Sequence, residues 1–289
     1  MVVGTAEERE VMRVLITGAG GQLGHDLVAT FDDPRYEVLG TTHASMDLTS
    51  RDEVLATICG FEPDIVIHGA AWTAVDACEG DPDKAFAVNG FGTRNVAEGA
   101  RRVGAHVVYV STDYVFDGTK EAAYREWDTT GPTSVYGASK LAGEREIDPG
   151  SAIVRTGWVC GVHGNNFVKT MLRLAGERDT WGVVDDQRGC PSFTEDLATA
   201  IQRLAIGRLP GVFHLSNQRE TTWYGFARAI LEAAGHDSGR IKPITTAEYP
   251  TPAMRPANSV LDNGAWRLAG FAPLDDWEAP LARMIKDLT

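Results

Sequence analysis

Arg13-Val-Leu-Ile-Thr-Gly-Ala-Gly-Gly-Gln-Leu-Gly24 joins a short apolar run to a glycine-rich turn near the start of the chain. A strand that enters such a turn and continues into a helix brings backbone N–H groups and a helix N-terminus to one point, where they bind a pyrophosphate. The glycines follow the spacing G-x-x-G-x-x-G, because Leu23 stands where G-x-G-x-x-G needs glycine. We predict a dinucleotide site formed by Gly18, Gly21, Gln22, Leu23 and Gly24.

Strands and helices alternate through the first half of the chain. Apolar runs predict further strands at 36–40, 64–68, 105–111 and 152–155, and residues 83–103 show helical spacing of apolar side chains. Strands separated by helices form βαβ units and a parallel sheet. The predicted fold class is therefore α/β, a Rossmann-type doubly wound parallel sheet with a smaller C-terminal substrate lobe.

The spacing of elements changes after Arg155, which suggests a domain boundary. We predict a dinucleotide-binding domain at 12–160 and a mainly substrate-binding lobe at 161–289, with about 185–216 returning to the sheet. Within that second part, helices are expected at 166–175, 195–204 and 222–233 and a strand at 211–215. Ligands bind beyond the carboxyl ends of parallel strands, so the cleft should lie between sheet and lobe.

Composition excludes several kinds of function. The net charge of −13 argues against nucleic acid, and no apolar stretch is long enough to span a membrane. Met1–Glu10 lacks the apolar region of a secretory signal. The cysteines at 59, 78, 160 and 190 form no CxxC and have no histidine at metal-ligand spacing. These features predict a cytoplasmic protein with reduced thiols.

Tyr136-Gly-Ala-Ser-Lys140 places a phenol and an ammonium one helical turn apart. A lysine and an oxidised nicotinamide, both positively charged, would lower the tyrosine pKa from its usual ~10 and make it an acid–base group. Upstream, a buried strand ends at Ser111-Thr112, so the hydroxyl of Thr112 can donate to a substrate carbonyl. Together with the glycine turn, these residues predict a dehydrogenase with Thr112, Tyr136 and Lys140 as its catalytic groups.

The end of the second strand bears on the choice of cofactor. Gly40-Thr-Thr-His43 offers neither the carboxylate that holds a ribose 2′-hydroxyl nor an arginine for a 2′-phosphate. The absence of that carboxylate removes an electrostatic bar to a 2′-phosphate. We therefore expect NADPH, with NADH also accepted.

From about Arg13 to its C-terminus the chain resembles the extended short-chain dehydrogenases, and within them the dTDP-4-dehydrorhamnose reductases. The resemblance is carried by segments 111–118, 155–158, 164–172, 186–191 and 255–262. It implies NAD(P)H-dependent reduction of the C4 keto group of dTDP-4-dehydro-6-deoxy-L-mannose to dTDP-L-rhamnose. Thr112 would polarise the carbonyl, Tyr136 would protonate the alkoxide, and Lys140 would hold the nicotinamide ribose.

Further roles come from the same resemblance. The residues implied to contact the cofactor are Asp47, Leu48, Ala70, Ala71 and Thr73. Those implied to face the sugar are Val75, Asp113, Tyr114 and Trp158, and those implied for the nucleotide and its phosphates are Asn166, Phe167, Lys169 and Arg255.

Some residues depart from the family pattern or stay open. Trp72 stands where members often have a smaller aromatic residue or histidine, so the cofactor edge is expected to differ. Some members carry a divalent metal at a dimer contact through glutamates that match Asp26 and Glu195. Exposed carboxylates are common on helices, and that is enough to account for Asp26 and Glu195 here. We therefore predict no metal and leave open whether the chain forms a homodimer. Asn89 could anchor a backbone kink or a proton-relay water, or serve only its helix, and His68 is expected to be a core or solvated group.

Two other functions remain open on the sequence. One is a sibling reductase that gives another stereochemistry on a related dTDP-4-keto-6-deoxysugar. The other is a non-catalytic nucleotide-binding regulatory subunit resembling the β subunit of methionine adenosyltransferase. Intact Thr112, Tyr136 and Lys140 favour catalysis.

Overall fold

The computed structural model describes residues 11–288, and the N-terminal segment Met1–Glu10 lies outside that range. The strands are β1 (Met12–Thr17), β2 (Tyr36–Thr41), β3 (Ile65–His68), β4 (His106–Thr112), β5 (Ala152–Thr156), β6 (Val159–Cys160), β7 (Trp181–Val184), β8 (Arg188–Gly189), β9 (Ser192–Phe193), β10 (Gly211–His214), β11 (Thr221–Thr222) and β12 (Ile241–Ile244). The helices are α1 (Gln22–Thr30), α2 (Arg51–Phe61), α3 (Val75–Gly80), α4 (Pro82–Phe86), α5 (Gly92–Val103), α6 (Val135–Glu144), α7 (Phe167–Glu177), α8 (Thr194–Ile206), α9 (Trp223–Ala233), α10 (Gly264–Leu268) and α11 (Glu278–Leu288).

The main sheet has six parallel strands in the order β2-β1-β3-β4-β5-β10. The chain runs from β1 to β2 on one side and then crosses back to β3 on the other, so the winding direction reverses between β1 and β3. There Thr17, the last residue of β1, lies level with both Thr41 and His68. Clefts form beyond the carboxyl ends of strands at such a reversal. The predicted doubly wound α/β fold is confirmed.

Both faces of the sheet are covered, because successive side chains of a strand point to opposite sides. Val14 and Ile16 of β1 pack on one face with Leu27 of α1 and Leu197 of α8. Leu15 between them packs on the other face, in a cluster with α2 and α5. All five side chains are fully buried. The carboxyl edge of the sheet is therefore its accessible side.

The C-terminal part has a core of its own, built mainly from α7, α9 and α11. Its strands β7 and β12 pair with each other and not with the main sheet. Between residues 194 and 214, however, the chain runs along the main sheet: α8 packs against α1, and β10 pairs with β5. The division into a domain at 12–160 and a lobe at 161–289 stays a prediction.

The helix expected over residues 83–103 is interrupted. α4 ends at Phe86, Ala87–Phe91 form a π-helical turn, and α5 follows. Asn89 in that turn bonds the backbone of Trp72: its Oδ1 accepts from the N–H at 2.8 Å and its Nδ2 donates to the carbonyl at 3.1 Å. π turns commonly occur at functional sites. Of the roles open to Asn89, the contacts support anchoring of the backbone after β3.

The structure also bears on two expectations from the sequence, which concern membrane-spanning helices and the cysteines. Within residues 11–288, no helix is both long and apolar enough to cross a bilayer. The four cysteines are free thiols. Burial raises the pKa of Cys160 and Cys190 to about 12, so both stay protonated and unreactive at neutral pH.

Candidate active site

The glycine-rich turn lies between β1 and α1, at the carboxyl edge of the sheet. Gly18 has a φ of +75°, and a Cβ there would lie 2.9 Å from the backbone of Ala70. A Cβ on Gly24 would lie 2.1 Å from the carbonyl oxygen of Gly18, so only glycine lets α1 start this close to the turn. Gly21 is the N-cap of α1 and provides no side-chain cap. The N–H groups of the first turn are left for a ligand, and a diphosphate fits this cradle.

An open cleft of about 700 Å³ runs from this turn along the carboxyl ends of the central strands. Candidates from distant parts of the sequence lie together in it. It is lined by Gly18, Gly21, Gln22, Leu23, Gly24, Ala70, Ala71, Thr73, Val75, Thr112, Asp113, Tyr114, Tyr136, Lys140 and Trp158. The residues predicted to bind the cofactor, to catalyse the reaction and to contact the sugar therefore line the same cleft.

The side chains of Thr112 and Tyr136 both line the main cleft, where the Thr112 hydroxyl acts to lower the pKa of the Tyr136 phenol. Thr112 ends β4, and Tyr136 lies in the first turn of α6, which Ser134 caps. The Thr112 hydroxyl donates to Asp113 Oδ1 at 3.0 Å and accepts from the N–H of Tyr114 at 3.2 Å. In this arrangement Asp113 takes the single hydrogen of the Thr112 hydroxyl. Thr112 must turn its hydroxyl away from Asp113 to donate to a substrate carbonyl.

The sequence predicts that Lys140 and an oxidised nicotinamide lower the pKa of Tyr136. When only the groups of the protein act on the tyrosine, that prediction is wrong. The pKa of Tyr136 is raised, because burial outweighs the lowering effect of the Thr112 hydroxyl, and the carboxylate of Asp113 acts in the same direction as burial. Burial also lowers the pKa of Lys140 to about 7, with Glu144 opposing. A lysine that is partly neutral at pH 7 provides little positive charge to stabilise the phenolate of Tyr136. The phenol is therefore held protonated, which is the form that a reduction requires.

Lys140 lies one turn after Tyr136 on α6 and is almost fully buried. Its Nζ donates to the carbonyl of Val110 at 2.7 Å and lies 4.2 Å from the centroid of the Tyr109 ring. An ammonium has three hydrogens to donate. Two remain for a ligand in the cleft, which fits the hydroxyl groups of a ribose.

A buried ion pair supports the strand end beneath Thr112. Arg155 of β5 donates to both carboxylate oxygens of Glu144 on α6, at 2.9 and 2.7 Å, and Ser111 donates to the same carboxylate at 2.6 Å. The Arg155 and Glu144 side chains are 6% and 5% exposed. This network connects β4, β5 and α6. It therefore fixes the helix that carries Tyr136 relative to the strand that carries Thr112.

His68 is a core histidine and not a solvated one. Thr93 donates its hydroxyl hydrogen to the carbonyl of Asn89 at 2.7 Å, so it accepts from His68 Nε2 at 3.1 Å. The other ring nitrogen, Nδ1, then accepts from Thr17 at 2.7 Å. Burial, together with the nearby charge of Lys140, lowers the pKa of His68 to about 3. The neutral ring ties β1, β3 and α5 together beneath the cleft.

A second cavity, of about 290 Å³, continues past the end of β2. Four residues implied to contact the cofactor lie in it: Asp47 and Leu48, which are implied for adenine, and Ala70 and Ala71. Thr42 and His43 line both this cavity and the main cleft. Trp72 and Lys84 form part of its wall, with Lys84 Nζ 4.5 Å from the centroid of the indole ring. The departure at Trp72 therefore lies at the predicted adenosine end.

A third cavity, of about 690 Å³, lies between the sheet and the C-terminal lobe. Tyr114, Phe167 and Arg255 line it, so two residues implied for the nucleotide are in place. The guanidinium of Arg255 pairs with the carboxylate of Asp76 at 2.7 Å, and Asp76 also accepts from the N–H of Ala253 at 3.1 Å. Arg255 is therefore held by a carboxylate at the start of α3 and is only partly available to a phosphate.

Asn166 and Lys169 line none of these three cavities, and their implied contacts to the nucleotide stay a prediction. Asn166 caps α7 through the N–H of Lys169 at 3.1 Å, and its Nδ2 donates to Gln22 at 2.9 Å. Lys169 Nζ donates to the carbonyls of Val162 and Gly164. Both side chains therefore hold the 161–166 loop through its backbone carbonyls.

The sequence missed several residues that line the cavities. Trp223 lines both the main cleft and the third cavity, and Lys84 lines the second. Gln187 lines the third. Only Gln187 lay in a segment that the resemblance had marked. Trp223 begins a helix whose apolar spacing indicates a core residue, so no sequence signal separated it from the core.

No metal site is apparent in the part of the chain that the structure describes, where no three His, Cys, Asp or Glu side chains cluster. Asp26 lies on α1 and is half-buried. Glu195, on α8, pairs with Arg283 at 3.3 Å. Whether either residue binds a metal in an assembly stays untested.

The doubly wound sheet, the glycine cradle and the Thr112, Tyr136 and Lys140 set define a short-chain dehydrogenase. Comparison with known proteins narrows this class. The family described as the RmlD substrate binding domain matches residues 12–289. The dTDP-4-dehydrorhamnose reductase of Aggregatibacter actinomycetemcomitans is 43% identical over 284 residues, which cover 93% of this chain and 97% of that protein.

Two further relatives add detail. The dTDP-4-keto-6-deoxy-D-glucose reductase of Streptomyces niveus is 40% identical, over 94% of this chain and 96% of that protein. The crystal structure of dTDP-4-dehydrorhamnose reductase from Bacillus anthracis in complex with NADP superposes with a TM-score of 0.93 at 39% identity, covering 96% of this chain and 99% of that chain. The chain belongs to the dTDP-4-dehydrorhamnose reductase family.

Proposed function

We propose that this chain reduces the C4 keto group of dTDP-4-dehydro-6-deoxy-L-mannose with NADPH and forms dTDP-L-rhamnose. The observation that carries the proposal is the convergence of Thr112, Tyr136 and Lys140 in the cleft that starts at the glycine cradle. The third cavity adjoins this cleft and provides room for a nucleotide. Family membership supplies the substrate class.

The reaction needs a hydride at the carbonyl carbon and a proton at the carbonyl oxygen. Bound NADPH supplies the hydride from its nicotinamide. Tyr136 supplies the proton, because its raised pKa keeps the phenol protonated and its hydroxyl lies beside Thr112. Thr112 stabilises the developing negative charge on the oxygen once its hydroxyl turns from Asp113. Lys140 holds the ribose through its free N–H groups and so fixes the nicotinamide near Tyr136.

The preference for NADPH rests on the charges at the adenosine end. Thr41, Thr42 and His43 carry no negative charge that would repel a 2′-phosphate, and Lys84 adds a positive charge to the same cavity. The cavity also contains the carboxylate of Asp47, whose Oδ1 accepts from the N–H and the hydroxyl of Thr49. A relative of known structure binds NADP. NADH fits the same cradle, since the diphosphate contacts do not depend on the 2′-phosphate.

The proposal is tested by following NADPH oxidation with dTDP-4-dehydro-6-deoxy-L-mannose as the only other reactant. Nuclear magnetic resonance of the product then establishes the configuration at C4. Turnover to dTDP-L-rhamnose is the expected result. Protein that binds NADPH but turns over no dTDP-4-ketosugar would contradict the proposal and favour the regulatory-subunit reading.

A sibling reductase is the second candidate. Its support is the Streptomyces niveus relative, whose name specifies another 4-keto-6-deoxysugar at almost the same identity. The two candidates share every catalytic group and differ in the configuration at C4. A product with the opposite configuration at that carbon would therefore select the sibling.

The cytoplasm and a homodimer are part of the proposal as well. Four free thiols, three of them buried, suit a reducing compartment. Analytical ultracentrifugation of the purified protein, with and without Mg²⁺, distinguishes a monomer from a homodimer and tests a role for metal at the contact.

A further inference from the structure

Two tryptophans are stacked where the main cleft meets the third cavity. The ring centroids of Trp158 and Trp223 lie 3.5 Å apart and the ring planes differ by 6°. Trp158 follows β5, whereas Trp223 is the first residue of α9. The stack therefore joins the carboxyl edge of the main sheet to the C-terminal lobe. At this distance the two indole rings overlap face to face, and each ring buries one face of the other.

The backbone of Trp158 is in an unfavourable conformation. Its φ is +51°, in the left-handed region that bulky residues rarely adopt. The indole also lies so close to Gly189 that a Cβ there would be 2.4 Å from Trp158 Cε2. Strain of this kind persists only when the surroundings determine it, and it commonly occurs at ligand sites. Gly189 and Trp223 provide those surroundings.

Trp223 is itself held firmly. Thr222 caps α9 through the N–H of Gly225 at 3.0 Å and donates to Asp185 at 2.6 Å. The ring of Phe167 lies with its centroid 4.6 Å from that of Trp223 and connects the stack to the core of the lobe. Trp158 therefore rests on a ring whose position is fixed by a helix start and an apolar core.

The location of the stack gives it a function. Trp223 lines both the main cleft and the third cavity, as Tyr114 does. A nucleotide sugar that places its ketose beside Tyr136 and its nucleotide in the third cavity must pass between these two side chains. Trp158 lines only the main cleft, on the side of the sugar.

We infer that Trp223 is a positioning residue that fixes the indole of Trp158 against the sugar of the substrate. This inference rests on the proposed function, since it takes the substrate to be a nucleotide-linked ketose. Without the ring of Trp223, Trp158 is free to leave its strained backbone conformation and the wall of the sugar site is lost. The cofactor cradle, formed by other elements, is unaffected.

The test compares three variants with the wild type. Trp223→Leu removes the stacked ring, Trp223→Phe retains an aromatic surface, and Trp127→Leu applies the same change to an exposed tryptophan that lines none of the three cavities. Exciton coupling in circular dichroism reports the stack itself. Calorimetry measures NADPH, dTDP and dTDP-L-rhamnose binding, and steady-state kinetics give kcat and KM.

Trp223→Leu is expected to lose the exciton signal and raise KM for the ketosugar by about tenfold, the upper end of what an aromatic contact supplies. Affinity for dTDP-L-rhamnose should fall more than affinity for dTDP, NADPH affinity should stay within about twofold, and Trp223→Phe should recover most of the loss. Trp127→Leu should match the wild type in each measurement.

Three results would overturn the inference. One is a Trp223→Leu enzyme whose KM for the ketosugar stays within about twofold of wild type. The second is an equal loss of dTDP and dTDP-L-rhamnose affinity, which would make Trp223 a wall of the nucleotide cavity. The third is a parallel loss of NADPH affinity, which would indicate general disruption. If the wild-type protein turns over no ketosugar, the proposed function is contradicted instead. The wild-type assay therefore distinguishes failure of the proposed function from failure of the inference about Trp223.

Discussion

Replacing Tyr136 with phenylalanine removes one hydroxyl and keeps the ring that packs in the cleft. The cost to stability is small and follows from the contacts. The Thr112 hydroxyl keeps its bonds to Asp113 and to the N–H of Tyr114 after the change, so its polar atoms stay paired. The loss of one buried hydroxyl and its polar contacts is worth about 1 kcal/mol, which for a chain of this size lowers Tm by only a few degrees.

The effect on catalysis should be far larger. Hydride transfer would leave an alkoxide without a positioned acid, since the Thr112 hydroxyl can stabilise the charge but stays bonded to its own proton. General-acid catalysis contributes about 100-fold or more, so kcat should fall by at least that factor, or about 2.7 kcal/mol in activation free energy. NADPH affinity should change little, because Lys140 and the glycine cradle are untouched.

The assay is pre-steady-state oxidation of NADPH, which isolates hydride transfer, together with a binding titration of NADPH. Tyr36→Phe, a change of the same kind on β2 and away from the nicotinamide end, is the matched control and should behave as wild type. A folded Tyr136→Phe protein whose kcat stays within about threefold of wild type, with hydride transfer limiting, would refute the assignment of Tyr136 as the acid.

Three further predictions concern the cofactor, pH and stability. The value of kcat/KM for NADPH should equal or exceed that for NADH, and a tenfold preference for NADH, about 1.4 kcal/mol, would contradict the interpretation of residues 40–43. Because the pKa of Lys140 is lowered to about 7, its ammonium is present below that pH and lost above it, so NADPH affinity should decline as pH rises through 7. Lys140→Met should bind NADPH more weakly with no such decline; identical pH profiles would show that another group titrates. Glu144→Ala leaves the guanidinium of Arg155 buried without its partner, so it should lower the free energy of unfolding, measured with urea, by about 3–5 kcal/mol. The control is Glu37→Ala, which removes the exposed partner of Arg13 and should lower it by less than about 1 kcal/mol.

Much of the fold follows from local signals in the sequence. The β-branched runs of β1 to β5, the glycine turn and the intervening helices each carry a pattern that depends on near neighbours, and the parallel α/β sheet follows from their order. The catalytic candidates could be named for the same reason. Tyr136 and Lys140 are one helical turn apart, and Thr112 ends a buried strand, so chain order alone brings them to the carboxyl edge.

Other features depend on contacts between distant segments. Asn89 in the π turn bonds the backbone of Trp72, and the side chains of Asn166 and Lys169 form hydrogen bonds at the 161–166 loop. Neither set of contacts can be recognised from a pattern in the sequence. The direction of the Tyr136 pKa shift was also beyond the sequence. A neighbouring lysine suggests a lowered value, but only the tertiary structure shows how far both groups are removed from water.

The sequence by itself determined the class of fold and the position of the glycine-rich turn, and it named the candidate proton donor. Only the tertiary structure decided which tryptophans stack, which carboxylate holds Arg255, and which side chains line each of the three cavities. The physical reason is that hydrophobic periodicity and turn chemistry act over a few residues, whereas desolvation and ring stacking depend on atoms that meet only after the chain has folded.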